Sequence, residues 1–102
     1  TLPELDYMSG VSLLGSATIE QSYLRIAQAD RYSLQARYAV TGSATYQVIN
    51  HRTNQVMIAG DFNSSQSRLR TDFTQLATGD YKLVISSSGT LMITEVGLIR
   101  WQ

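Results

Sequence analysis

Residues 31–40 alternate between apolar and polar side chains more regularly than any other part of the chain. Side chains on a β-strand point to opposite faces in turn, so this spacing predicts one buried face and one hydrated face. The apolar positions are Tyr32, Leu34, Ala36, Tyr38 and Val40. A helix is not favoured, because the apolar residues of the region 23–40 do not recur at helical spacing.

Shorter segments of the same character follow one another along the chain. The predicted strands are 11–14, 17–27, 32–41, 44–49, 55–62, 68–76, 81–86 and 91–101. Clusters of Gly, Ser and Asn separate them, and the polar loop between the fourth and fifth strands is typical of a hairpin. Short strands at this spacing predict an all-β fold, a jelly-roll-like antiparallel β-sandwich of about eight strands.

Local features modify this pattern in three places. A break near Gln21 and Ser22 predicts a bulge in the second strand, and Gly97 predicts a bulge or a close backbone approach in the last one. Residues 1–10 are predicted to form an irregular N-terminal arm, since Pro3 interrupts ladder pairing. Such an apolar arm would pack either on its own core or on a neighbouring subunit.

The composition excludes several classes of function. The length suits a single domain, which we predict over residues 1–102. Because the chain has no cysteine, disulfides and thiolate metal sites are excluded. Eight basic residues balance eight acidic ones, so long-range attraction to nucleic acid or to an anionic membrane is not expected. No apolar stretch approaches the roughly 20 residues of a membrane-spanning helix.

We expect no catalytic residues. The single histidine, His51, lies in the predicted hairpin loop without a nucleophile elbow, and we interpret it as a solvated loop residue. Glycoside hydrolysis requires two facing carboxylates, and nothing in the sequence pairs the available ones. The carboxylates considered are Glu20, Asp61, Asp72, Asp80 and Glu95. No glycine-rich phosphate-binding loop is present, so we expect no cofactor and predict that the protein is not an enzyme.

Two polar clusters resemble ion-binding groups. Asp61 and Asn63 are the best candidates for calcium, but such residues usually close a turn, and we predict no metal site. Arg68 and Arg70 share one face of a predicted strand, and Arg37 can join them to contact phosphates. Because the chain has no net positive charge, we interpret this face as solvated or ion-paired.

The aromatic residues divide into two groups. One group follows the inward face of the predicted strands and is assigned to the core: Tyr32, Tyr38, Tyr46, Phe62, Phe73 and Tyr81. Alternation does not place Tyr7, Tyr23 or Trp101 in the core. Aromatic rings stack on sugars and are also enriched at protein interfaces, so these three are candidates for a glycan site or a subunit contact.

The last predicted strand is apolar on both faces. Leu91 and Ile93 lie on one face, whereas Val96 and Leu98 lie on the other. One strand face of a small sandwich should meet water, so a second apolar face indicates a partner surface or a covering N-terminal arm. We expect a protein interface that contains Leu2, Leu5, Tyr7, Met8, Ile99 and Trp101.

Four short motifs occur in order along residues 32–99. They are Tyr32-Ser33-Leu34, Asp72-Phe73, Gly79-Asp80-Tyr81 and Val96-Gly97-Leu98. This order of a Tyr-led strand, a Phe-bearing strand, a Gly-Asp-Tyr turn and a closing apolar strand resembles the galactose-binding-like jelly rolls. The similarity is greatest to the carbohydrate-binding modules of glycoside hydrolases. It implies a β-sandwich and, for a module of that kind, the binding of a sugar.

We hypothesise a non-enzymatic structural protein that forms protein–protein contacts in a larger assembly, such as a decoration or cement subunit of a phage capsid. Exposed strand edges and arms then predict a homo-oligomer at a virion or extracellular surface. The alternative is a carbohydrate-binding module that binds a glycan through Tyr7, Tyr23 and Trp101. The two hypotheses differ in the partner, which is a protein subunit in one and a glycan in the other.

Overall fold

The computed structural model describes the backbone of residues 4–14 and 17–100, and the side chains of residues 18–20 and 24–100. Its strands, in chain order, are β1 (Glu4–Leu14), β2 (Ala17–Ile26), β3 (Asp30–Thr41), β4 (Ala44–Asn50), β5 (Val56–Asp61), β6 (Arg68–Arg70), β7 (Thr74–Leu76), β8 (Gly79–Ser87) and β9 (Thr90–Arg100). Within the described ranges, no helix is long and apolar enough to cross a membrane.

The strands pair antiparallel in two sheets. In the first sheet β1 pairs with β9, β9 with β3, and β3 with both β6 and β7 along its other edge. The second sheet has the order β2, β8, β4, β5. Buried residues of both sheets form one hydrophobic cluster between them. The predicted all-β, jelly-roll-like sandwich is confirmed, with one strand more than expected because the segment 68–76 is divided into β6 and β7.

The alternating segment forms the middle of β3 and supplies one side of the core. Tyr32, Leu34, Ala36 and Tyr38 are buried, as the spacing predicts, and Val40 is half-buried. Across the sandwich, alternate residues of β8 are buried against them, namely Tyr81, Leu83 and Ile85. Full burial of one such large side chain stabilises the folded state by about 1.5–3 kcal/mol, so this pairing of faces determines which way each strand is turned.

An aromatic cluster closes one end of the core. The Phe62 ring meets Tyr38 at 4.9 Å and Tyr46 at 5.4 Å between centroids, both edge to face, which is a favoured arrangement of aromatic pairs. Gly60 lies directly across from Tyr46 in the β4–β5 ladder, and a Cβ at Gly60 would collide with the Tyr46 ring. The small residue in β5 is therefore required by packing.

A bulge in β9 corrects the prediction of a second apolar face. The partners of Arg37 and Tyr38 on β9 are Glu95 and Ile93, so Thr94 is an extra residue relative to β3. The bulge reverses the parity of the strand, and the buried residues on its two sides are Leu91, Ile93, Val96 and Leu98. All four belong to one core, so the inference of a partner surface from their mixed parity is wrong.

The prediction of an irregular arm over residues 1–10 is wrong from Glu4 onwards. Residues 4–14 form β1, which pairs with β9 from Glu4 opposite Ile99 to Leu14 opposite Thr90. A register shift between Glu4 and Tyr7 interrupts the alternation that would have indicated a strand. Residues 1–3 lie outside the described residues.

Two predicted irregularities have different outcomes. The break near Gln21 is confirmed, because the β2–β8 register shifts between Gln21 and Leu24. Gly97 is not the bulge of β9, since it pairs in register with Tyr7 on one side and Gln35 on the other. The bulge lies three positions earlier, where no glycine marks it.

Candidate functional site

The outer face of the first sheet carries a groove of about 330 Å³ formed by β3, β6 and β9. We define this outer-face groove by its principal lining side chains, which are Gln35, Arg37, Arg68, Arg70, Glu95 and Ile99. The core occupies the opposite face of the same strands. The groove is therefore an open surface supported from beneath by packed side chains, which restricts its movement.

Strand register brings the polar side chains together. In the β3–β6 ladder, Gln35 lies opposite Arg70 and Arg37 lies opposite Arg68. Leu69, between the two arginines of β6, packs against the core, so the arginines take the outer face. Alternation predicts that Arg68 and Arg70 share one face and that Arg37 can join them, and the β3–β6 ladder confirms that grouping.

The groove has an excess of positive charge. Among the described side chains, three guanidinium groups and one carboxylate line it, a net charge of +2, whereas the whole chain has a net charge of +0. Arg37 Nε lies 3.5 Å from Glu95 Oε1, with side chains 56% and 47% exposed, so the pair contributes little to stability. Among the side chains that the structure describes, neither Arg68 nor Arg70 is within salt-bridge distance of a carboxylate. Two arginines are therefore available to a ligand.

The segment between β6 and β7 supports Arg70. The Arg70 guanidinium carbon lies 5.9 Å from the centroid of the Phe73 ring, within the range of a cation–π interaction. Phe73 was predicted to be core, but it is half-buried and does not belong to the core cluster. The chain leaves β6 before reaching Phe73, so the alternation of that strand no longer determines the direction of its side chain.

Thr71 ties this segment to β3 through hydrogen bonds of its hydroxyl and of its backbone. The Leu34 amide donates to Thr71 Oγ1 at 2.9 Å, and the Thr71 amide donates to the Leu34 carbonyl at 3.0 Å. The hydroxyl of Ser33, which is fully buried, donates to the Thr71 carbonyl at 2.6 Å. Alternation predicts that Ser33 lies on the hydrated face of β3, but the segment after β6 covers it.

A second cavity, of about 280 Å³, lies between the β4–β5 loop and the turn before β8. Its polar groups are engaged in local structure: Asn50 Oδ1 accepts from the Arg52 amide at 2.9 Å, and the His51 amide donates to the Asp80 carbonyl at 3.0 Å. Asp80 also pairs with Arg25 at 3.0 Å. His51 is half-buried, so its description as a solvated loop residue is only partly correct.

The turn after β5 has the structure of a closed turn. Asn63 Oδ1 accepts from the Ser65 amide at 2.9 Å and from its hydroxyl at 2.7 Å, while the Asn63 carbonyl accepts from the Tyr38 hydroxyl at 2.8 Å. These bonds agree with the interpretation of this segment as a turn. Within the described part of the chain, no three His, Cys, Asp or Glu residues come together as a metal-binding group would require.

For most residues predicted to form an interface or to stack on sugar, the structure does not describe the side chain. Leu2 and Trp101 lie outside the described residues. The side chains of the other members on β1 and β2 also lie outside them: Leu5, Tyr7, Met8 and Tyr23. The Tyr7 backbone pairs with Gly97, a residue of the groove, and Ile99 is half-buried in the groove lining. The roles assigned to these residues stay predictions.

Solved structures share this fold, although no protein-family model and no curated protein sequence matches the chain. The C-terminal family 6 carbohydrate-binding module of a laminarinase from Zobellia galactanivorans aligns with a TM-score of 0.65 and 9% identity, over 95% of this chain and 93% of that one. A family 6 module from Clostridium stercorarium, in complex with cellobiose, aligns with a TM-score of 0.62 and 16% identity, over 97% and 84%. A module of lichenase 5A from Cellvibrio mixtus, in complex with cellotriose, gives 0.58 and 11%, over 93% and 100%.

These likenesses show that the chain shares the β-sandwich fold of these carbohydrate-binding modules, and the resemblance found in the sequence is confirmed at the level of the fold. The hypothesis of a phage-capsid decoration subunit is wrong, because the matching structures are carbohydrate-binding modules. The mixed parity of β9, on which that hypothesis depended, is explained by the Thr94 bulge. The expected protein assembly and homo-oligomer therefore have no support.

Proposed function

We propose that this protein binds carbohydrate, without cleaving it, in the outer-face groove. Support comes first from the fold, which it shares over almost its full length with modules solved in complex with cellobiose and cellotriose. The single observation that carries the proposal is the row of hydrogen-bonding side chains on the outer face of β3, β6 and β9.

The groove chemistry suits a sugar. Gln35 offers a donor and an acceptor, the arginines offer fixed donors, and Glu95 offers an acceptor, which together match hydroxyl groups that both donate and accept. Ile99 and the aliphatic stems of the arginines offer apolar surface to the C–H face of a sugar ring. The volume of about 330 Å³ falls in the range of small-molecule sites.

The support beneath the groove favours binding by a preformed site. Gln35 and Arg37 belong to β3, whose inward neighbours Leu34 and Ala36 are buried. A site on packed strands loses less conformational entropy on binding than a mobile loop does. The predicted stacking role of Tyr7 is compatible with this location, because its backbone lies beside Gly97.

Binding without catalysis is proposed because the described side chains of the groove include one carboxylate. Glycoside hydrolases of the usual kind need two, one as acid and one as base or nucleophile. Glu95 is the carboxylate in the groove lining, and it faces Arg37.

The test is affinity electrophoresis through gels that contain soluble polysaccharides, neutral ones and acidic ones. We expect retardation by at least one polymer and an affinity lowered about fivefold or more in Gln35→Ala, which removes a side chain that hydrogen-bonds in the groove. Gln47→Ala is the matched control, because Gln47 is exposed on β4 in the other sheet. The proposal is overturned if no polymer retards the protein, if both variants behave alike, or if reducing ends are released.

A further inference from the structure

We infer that the groove selects an anionic polysaccharide and that Arg68 and Arg70 bind its carboxylate or sulfate groups. This inference rests on the proposed function, since it specifies the class of glycan for the same groove. It starts from a contrast of charge: the chain as a whole is neutral, but the described side chains of the groove include two more guanidinium groups than carboxylates. A neutral glycan would need no such excess.

The two arginines are free to bind because the neighbouring acid is already engaged. Glu95 lies 3.5 Å from Arg37, the third arginine. Among the described side chains, Arg68 and Arg70 have no carboxylate partner, and both are exposed. The planar fork of arginine matches a carboxylate or sulfate through two parallel hydrogen bonds, which the ammonium of lysine cannot do.

The spacing of these arginines suits a ligand with repeated charges. They are two residues apart on β6, on the same face of the strand, so their backbones are about 7 Å apart. The Phe73 ring restricts Arg70 from one side, and the hydrogen bonds of Thr71 to β3 hold the segment that carries this ring. A polymer that lies along the groove can therefore meet both guanidinium groups in a fixed geometry.

Nucleic acid is the competing polyanion, and the observations favour a saccharide. A protein that depends on phosphate contacts typically uses six to ten of them, spread over a wide basic surface. This groove has a small local excess on a neutral chain. Of the aromatic side chains in the described part of the chain, five are buried in the core, so a row of stacked bases has no platform there.

The experiment compares polymers that differ only in charge. The first pair is polygalacturonate and its methyl ester, which tests carboxylate, and the second is laminarin and laminarin sulfate, which tests sulfate. Isothermal titration calorimetry at low salt should give at least about tenfold tighter binding for the charged member of one pair, and the pair that responds identifies the anionic group. Raising the salt concentration should reduce that advantage.

Variants of single arginines test which residues bind the anionic group of the polymer. Arg68→Gln and Arg70→Gln should each weaken binding of the charged polymer about tenfold, and by a clearly larger factor than they weaken any binding of the neutral one, because only the charged polymer loses an ion pair. Arg52→Gln is the matched control, since it makes the same charge change at an exposed position in the β4–β5 loop and should change neither affinity. Because all three arginines are exposed, the variants should keep the unfolding midpoint of the parent protein.

The outcomes separate this inference from the proposed function. Equal affinity for the charged and neutral members of both pairs overturns the inference and leaves glycan binding in place. Full binding of the charged polymer by both arginine variants also overturns it, because the anion then binds elsewhere. Equal binding of a single-stranded DNA oligonucleotide would show a general polyanion site, not a saccharide site. Failure to bind any glycan removes both proposals together.

Discussion

Thr71 is the residue at which the core and the groove meet. Its hydroxyl oxygen satisfies the amide of Leu34, a fully buried residue, and its backbone bonds to both Leu34 and Ser33. The adjoining residue, Arg70, projects into the groove. One polar side chain therefore fixes the segment after β6 and, through it, the position of a guanidinium group that we assign to ligand binding.

The first prediction concerns Thr71→Val, which keeps the shape of the side chain but removes its oxygen. The Leu34 amide then loses its partner in a buried environment, and we expect the free energy of unfolding to fall by about 1–3 kcal/mol. Thr45→Val is the control, because Thr45 is exposed on β4 and the same change there should stay within about 0.5 kcal/mol. Urea denaturation followed by tryptophan fluorescence or circular dichroism measures both. Equal effects in the two variants would mean that water replaces the lost bond.

At the scale of the strands, the β9 bulge affects the pairing of β9 with both of its neighbours, β1 and β3. Relative to β3, β9 has Thr94 as an extra residue. Relative to β1, β9 has no extra residue. Ser9 lies opposite Glu95 and Val11 lies opposite Ile93, so Gly10 lies opposite Thr94. β1 and β9 therefore each contain one residue more than β3 at the same level of the sheet.

This geometry predicts that two deletions compensate for each other. Deleting Thr94 should restore regular pairing of β9 with β3 but force a one-residue slip against β1, which turns part of that strand to the wrong face. We expect a loss of about 3 kcal/mol, comparable with misplacing one large buried side chain. Deleting Gly10 as well should restore both ladders and recover most of the loss.

Thermal and urea unfolding of the parent protein, the single deletion and the double deletion measure this effect. Deletion of Gly10 alone is the necessary fourth member of the cycle, and it should be as damaging as deletion of Thr94. If the two deletions add instead of compensating, the register assigned to β1 and β9 is incorrect.

The same bulge marks the limit of what the sequence predicts. Alternation located the strands well, because burial of one face requires a period of two, and β3 follows it from Leu34 to Val40. Alternation alone does not reveal a bulge. In the sequence, a strand whose alternation reverses at Thr94 looks the same as a strand with two apolar faces. The incorrect inference of a partner surface followed from that resemblance.

The groove was predictable in part. Arg68 and Arg70 share a face by counting along one strand, but their meeting with Arg37 and Glu95 depends on which strands pair, which is a property of the topology. The role of Phe73 was not predictable, because the chain leaves β6 before that residue. Nothing in the sequence indicates that β6 ends at Arg70, three residues before Phe73.

For the molecule as a whole, burial outweighs charge in stabilising the fold. The ion pairs found among the described side chains are Arg25–Asp80, Arg37–Glu95 and Arg100–Asp30, and at least one partner in each is about a third or more exposed. Such pairs contribute about 0–1 kcal/mol each. The core instead contains Tyr32 and Tyr46, whose hydroxyl pKa values are raised by burial, and this makes stability depend on pH at high pH.

The final prediction follows from Tyr32 in the first sheet and Tyr46 in the second. Burial raises the pKa of both hydroxyls above the ordinary value of 10.0, and the nearby Asp61 carboxylate adds to the effect at Tyr46. A group whose pKa is higher in the folded state binds its proton more tightly there than in the unfolded chain. Its contribution to stability is therefore complete below about pH 10 and is lost as the pH rises through the folded-state pKa.

We expect the free energy of unfolding to decline above pH 10 by at most about 1.4 kcal/mol per pH unit for each of these tyrosines. Tyr46→Phe removes one ionisable hydroxyl from the core, so its stability relative to the parent should be constant between pH 8 and 9.5 and should improve at pH 11. The lysine and arginine residues are the same in both proteins, so their titration cancels when the stability of the parent is subtracted from that of the variant. Urea denaturation at these three pH values measures it, and a difference that does not change with pH would mean that Tyr46 ionises as readily in the sandwich as in the unfolded chain.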